Sequence, residues 1–85
     1  MIETNKIIKI INDVLNEMIR ATSLYNKMNS AHEGYAIIEE EFDELWKNIK
    51  LKQSNPNRKR LMKEEAIHVG AMVIRFLYDC CTEEE

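Results

Sequence analysis

Glycine and proline are scarce in this chain. Its 85 residues include two Gly and one Pro, so few positions suit the tight turns of a many-stranded fold, and long helices joined by short breaks are expected. Cysteine is equally scarce. The pair Cys80 and Cys81 is adjacent, a spacing that rarely forms a disulfide. Two thiols make neither a disulfide framework nor the four-ligand set of a structural zinc site. A reducing cytoplasm is the expected compartment, with the thiols packed near a helix end. No apolar run approaches the ~20 residues of a membrane span, and the first residues, Met1 to Lys6, lack the layout of a secretory leader. A basic excess is missing too. The net charge is −3, which argues against a nucleic-acid backbone as the main partner.

What remains is 45% hydrophobic and 32% charged, the balance of a folded globular domain and not of a disordered chain. One domain over residues 1–85 is expected, at the small end for a self-sufficient core. Two breaks divide it into three helices. The first runs from about Thr4 to Lys27, capped by Thr4 or Asn5. Ile7, Ile8, Ile11, Val14, Leu15, Met18, Tyr25 and Met28 recur at helical steps as a core stripe, with Thr22 filling the remaining turn. Asn12, Asp13, Asn16, Glu17 and Arg20 fall mostly opposite it. After Asn29-Ser30, the Ser30…Glu33 spacing of a capping box opens a second helix to about Leu51. Its apolar arc is Tyr35, Ile38, Phe42, Leu45, Trp46 and Ile49, with Glu41 on the edge. Asn55-Pro56 then offers a cap and first position for a third helix, from about Asn57 to Cys81. Its opening Arg58-Lys59-Arg60 is either solvated or a phosphate-facing patch. From Ala66 to Leu77 it is apolar almost all round, as a central helix would be. Gly70 within it is expected where a neighbouring helix comes close, and Glu83 to Glu85 read as a frayed acidic tail.

The fold class is therefore all-α. A third helix this apolar exceeds what two partners in so short a chain can cover. A homodimer or higher oligomer completing a four-helix-type bundle is expected.

Chemistry concentrates in Glu39-Glu40-Glu41-Phe42-Asp43-Glu44-Leu45-Trp46. Five of these eight residues are acidic, yet they sit within an apolar helical pattern. Glu41 and Glu44 share one face of the second helix, and Glu65 follows on the third. Like charges packed together need a neutraliser, and a hard divalent cation takes oxygen ligands. The alternative is a solvated acidic face. On the third helix Glu65, His68, Arg75 and Asp79 fall within about 80° of one another. Arg75 is either a phosphate contact or the i, i+4 partner of Asp79. His32 reads as a capping or packing residue.

Residues 30–38 (Ser-Ala-His-Glu-Gly-Tyr-Ala-Ile-Ile), 40–46 (Glu-Glu-Phe-Asp-Glu-Leu-Trp) and 64–76 (Glu-Glu-Ala-Ile-His-Val-Gly-Ala-Met-Val-Ile-Arg-Phe) carry a family likeness. Together they resemble the MazG-like, all-α nucleoside triphosphate pyrophosphohydrolases, closest to their short phage-associated members. The family signature is E-x-x-E, a gap, then E-x-x-D. Here it reads Glu41-x-x-Glu44, twenty residues, Glu65-x-x-His68. The resemblance implies cleavage of a nucleoside triphosphate to monophosphate and pyrophosphate with Mg²⁺. It makes Glu41, Glu44 and Glu65 metal ligands and Glu40 a further ligand or water-orienting group. Arg75, Arg58 and Lys59 are candidate substrate contacts. The departure is His68 where the family has Asp. An imidazole suits Mn²⁺ better than Mg²⁺, so the position is either a ligand of altered preference, with reduced activity, or an interior histidine bonded to a carboxylate. A non-catalytic oligomerisation or partner-binding module with the same fold is the other reading.

Overall fold

Ser30 begins the second helix in the way its spacing predicts. Its hydroxyl accepts the Glu33 amide at 3.1 Å, satisfying one of the donors that a helix start leaves unpaired. A computed structural model describes residues 1–82, and within it the order is α1 (Thr4–Leu24), α2 (Ala31–Ile49) and α3 (Arg58–Cys81). The acidic tail expected over Glu83 to Glu85 lies outside the described residues. No helix among the described residues is long and apolar enough to cross a membrane.

The other two starts differ from expectation. Glu3 holds the cap position of α1 and no side chain bonds there. At α3 the cap is Asn57. Asn55 is used earlier: its side-chain oxygen accepts the Asn57 amide at 2.9 Å, and its carbonyl accepts the Arg58 amide at 3.2 Å. That closes a turn around Pro56, and the helix begins after it. The Arg58 guanidinium folds back onto the Ile49 carbonyl, with Nε and Nη2 at 3.2 and 3.0 Å, and so closes the C-terminus of α2.

α3 is central. Both α1 and α2 pack on it, and they do not pack on each other. An open groove therefore runs between α1 and α2 with α3 as its floor. Two glycines set the approach. A Cβ at Gly34 would lie 2.6 Å from the Phe76 ring, and one at Gly70 would lie 3.3 Å from a Val14 methyl. The close approach expected at Gly70 is thus made by α1.

The core is small. Ala21, Met28, Ala71 and Met72 are its buried apolar members, with Met18, Ile37, Ile38, Phe76 and Cys80 packed against them. Much of the apolar sequence lies outside it. Ile7, Ile8, Ile11 and Leu15 of the expected α1 stripe are exposed, as is Tyr25 beyond the helix end. Tyr35, Phe42, Trp46 and Ile49 are exposed on α2. Ile38 and Leu45 of the expected α2 arc do turn inward, and Gly34, Glu41 and Asn48 complete that face in four- and three-residue steps. Glu41 thus belongs to the contact face and not to its edge. The aromatic positions form a second apolar stripe, and their size draws a wheel-based reading toward it. The overall shape is long, 49 × 29 × 24 Å, with a radius of gyration of 14.5 Å, against about 12 Å for a compact chain of this length.

Candidate functional site

Glu65, His68, Met72, Arg75 and Asp79 follow one another at steps of three, four, three and four along α3. The polar stripe expected on α3 becomes a seam between its two flanking helices, with His68, Met72 and Arg75 on the lining of one cleft and Asp79 on that of the next. At one end of that seam, ligand atoms of Glu41, Glu65 and His68 all lie within 4.8 Å of one another. His68 Nδ1 is 3.4 Å from Glu65 Oε1 and 3.7 Å from Glu41 Oε2. On the other side of the ring, Nε2 is 3.7 Å from Glu17 Oε2 of α1. All three helices thus bring a carboxylate to one histidine.

The cluster packs two carboxyl groups against each other. Burial first, and the adjoining Glu65 carboxyl second, push the Glu41 carboxyl up to about 7. Oε2 of Glu65 is fully buried and has no hydrogen-bond partner. An orphaned buried carboxylate oxygen is costly unless something not yet counted meets it. Glu17 differs. Arg20 grips it with Nε and Nη2 at 2.8 and 2.6 Å, and that pairing holds its carboxyl below the usual range.

A cleft of about 410 Å³ opens on the cluster. Glu17, Glu40, Glu41 and His68 stand on its lining together with Arg20 and Arg75. Arg75 is 5% exposed. Its Nη2 donates to the Asn26 carbonyl at 2.7 Å, while Asp79 accepts the Met28 amide at 2.8 Å. The i, i+4 pair expected of Arg75 and Asp79 is replaced by two backbone bonds to the α1–α2 loop. No carboxylate stands within ion-pair distance of the guanidinium among the described residues, so one end of the cleft is cationic and the other anionic. A larger groove, about 520 Å³, lies past Arg75 between Met18, Ile19, Tyr25 and Tyr78. It lacks the carboxylate cluster.

The other sequence candidates fall as follows. Glu44 is half-exposed and pairs with Lys47 at 3.0 Å; it neighbours Glu41 without joining the cluster. Glu40 is exposed at the rim. Arg58 is engaged at the α2–α3 turn, and neither it nor Lys59 lines the cleft. His32 is exposed in the first turn of α2. Cys80 is half-buried, burial pushing its thiol up, and Cys81 is exposed. The sequence puts Glu17 on the polar side of α1. What would have found it is its register: Val14, Glu17, Met18 and Ala21 are the α1 positions that meet α3, and Glu17 sits among them.

Comparison of the chain with protein-family models, curated proteins and solved structures finds no match. The likeness to MazG-like enzymes stands on its quoted residues alone.

Proposed function

We propose that this chain is a divalent-cation-dependent nucleoside triphosphate pyrophosphohydrolase that works as a homodimer or higher oligomer. The observation that carries the reading is the meeting of Glu41, Glu65 and His68, with the second oxygen of the Glu65 carboxylate buried and partnerless. The donor set fits a cation: two carboxylates and an imidazole within one coordination sphere, at one end of an open cleft. Glu41, Glu65 and His68 would hold it. A bound Mg²⁺ or Mn²⁺ would neutralise these carboxylates and polarise phosphate oxygens.

The remaining residues supply positioning. Arg75, buried and without a carboxylate counter-ion, suits the phosphate oxygens of the substrate. Glu40 at the rim suits orientation of the attacking water, which joins the α-phosphorus as the bond to the β-phosphate oxygen breaks. The products are a nucleoside monophosphate and pyrophosphate. Cytoplasmic nucleotide pools would be the source of substrate.

The oligomer rests on a separate observation. Tyr35, Phe42 and Trp46 are 65%, 53% and 56% exposed on one side of α2, and Ile7, Ile8 and Ile11 are exposed on α1. Apolar area of this extent on an elongated chain fits a second copy that completes a four-helix-type core. The same surface favours the second reading, a non-catalytic assembly module. The deciding experiment incubates the protein with deoxynucleoside triphosphates and Mg²⁺ or Mn²⁺ and resolves the products. Pyrophosphate and monophosphate, lost by at least about 100-fold in Glu41→Gln, support the enzyme. Orthophosphate alone, or no turnover with either metal, leaves the assembly module.

A further inference from the structure

Glu17 stands on the one ring edge of His68 that the cluster does not use. Resting on the metal-site reading above, we propose that Glu17 of α1 is a positioning residue that fixes the His68 imidazole as a cation ligand through Nδ1.

The geometry divides the ring in two. Nδ1 faces Glu65 and Glu41, at 3.4 and 3.7 Å, on the side where the three ligand atoms converge. Nε2 faces Glu17 at 3.7 Å. A neutral imidazole has one proton and one lone pair, and it binds a cation through the lone pair. For Nδ1 to serve the cluster, the proton must sit on Nε2, and Glu17 is the acceptor standing there. Ligating histidines commonly give their second N–H to a carboxylate, which sets tautomer and ring orientation. At 3.7 Å the contact is too long for a hydrogen bond, and a movement of about 0.8 Å would make one. Glu17 is itself fixed. The two Arg20 bonds set its orientation, and its side chain is only 14% exposed. α1 therefore takes part in the site without supplying a direct ligand. The arrangement also explains how histidine can stand at the fourth signature position. An aspartate there would have faced Glu17 as a like charge, whereas an imidazole faces it as a donor.

The test is calorimetric titration of the full chain with Mn²⁺ and with Mg²⁺ alone, in wild type, Glu17→Gln, His68→Gln and the double variant. Glu17→Gln is expected to weaken Mn²⁺ binding about tenfold and Mg²⁺ binding less, because the imidazole serves the softer ion better. In the His68→Gln background, Glu17→Gln is expected to change Mn²⁺ affinity by less than about twofold. Equal losses in both backgrounds would overturn the proposal, since Glu17 would then act as a ligand or as a distant charge. Unchanged Mn²⁺ binding in Glu17→Gln would overturn it as well. Nitrogen chemical shifts of the metal-free protein at pH 8 give a readout independent of binding. Glu17→Gln is expected to raise the share of rings that carry the proton on Nδ1, because it leaves Glu65 and Glu41 as the only carboxyl groups facing the ring. The same tautomer ratio in both proteins defeats the inference whatever the metal does. Failure of wild type to bind either ion would instead remove the metal-site reading on which it rests.

Discussion

The two helices that flank α3 hold on to it in different ways. α2 is attached along its whole length. Gly34 lies against Phe76 at one end, Glu41 meets Glu65 and His68 in the middle, and the Asn48 amide donates to the Leu61 carbonyl at 3.1 Å near the other end. The half-buried and buried residues of α1 begin at Asp13, and every residue from Thr4 to Asn12 is exposed. Val14 and Ala21 pack on α3, and the hydrogen bonds that tie this side of the groove to α3 lie beyond the C-terminus of α1, where Arg75 and Asp79 bond the backbone of Asn26 and Met28. An isolated helix of that length is marginal in water. The first half of α1 is therefore held by little within the chain, whereas α2 is secured along its length.

The sharpest way to break this contrast is to remove the partner. Ile8→Asp combined with Ile11→Asp is expected to convert the assembly to monomers by light scattering at micromolar concentration. In the monomer, amides over the first half of α1 should exchange at least about 100-fold faster, while those in the middle of α2 change little. A wild-type protein that already has monomer mass would show that α1 carries its exposed stripe for another purpose.

The attachment of α2 can be broken directly. Gly34→Ala puts a methyl 2.6 Å from a ring carbon of Phe76, with Met28 Sδ at 3.1 Å behind it. Overpacking of this kind should cost about 2 to 3 kcal/mol in chemical denaturation.

The middle of α2 responds to pH. Glu41 holds its proton more tightly folded than unfolded, so the folded state is disfavoured as pH rises from 4.5 toward about 7. Metal-free protein should lose on the order of 2 kcal/mol across that window, after allowance for partial exposure. Glu41→Gln should flatten the loss in thermal melts at several pH values, and a saturating divalent cation should reverse it in wild type alone. A flat wild-type profile would mean that the cluster bears less charge than its packing indicates.

The smallest effect is expected on the α1 side. Gly70→Ala brings a methyl 3.3 Å from Val14, a contact a valine can yield to by a few tenths of an ångström. Helix propensity favours the change by about 1 kcal/mol, so the net shift should stay within about 0.5 kcal/mol. A loss as large as that at Gly34 would mean α1 is seated as firmly as α2.

The three helices were legible because their breaks are chemical: Ser30 caps, Pro56 interrupts, and little else in the chain could end a helix. Side-chain facing was legible only in part. On α2, Phe42 and Trp46 outweigh Ile38 and Leu45 in any apolar average, so the wheel turns toward the larger stripe and away from the one that packs. On α1, Glu17 looks like a solvent residue because its neighbours Asn16 and Arg20 are. Only the register against α3 brings it inward. Glu41, Glu65 and His68 were legible as a group because helical spacing and motif agree. The bonds of Arg75 and Asp79 were not, because their partners are backbone atoms of a loop whose position depends on three helices at once.

That loop has a consequence for the order of assembly. The bond from Arg75 to Asn26 spans 49 residues, and the bond from Met28 to Asp79 spans 51. A donor and an acceptor one helical turn apart pin a carbonyl and an amide two residues apart, like a clasp with two opposed teeth. Closing so long a chain segment is entropically costly before any contact is gained. During synthesis α1 and α2 emerge first, facing a groove whose floor does not yet exist. The clasp can shut only once the last turns of α3 are made, so the walls wait for the floor.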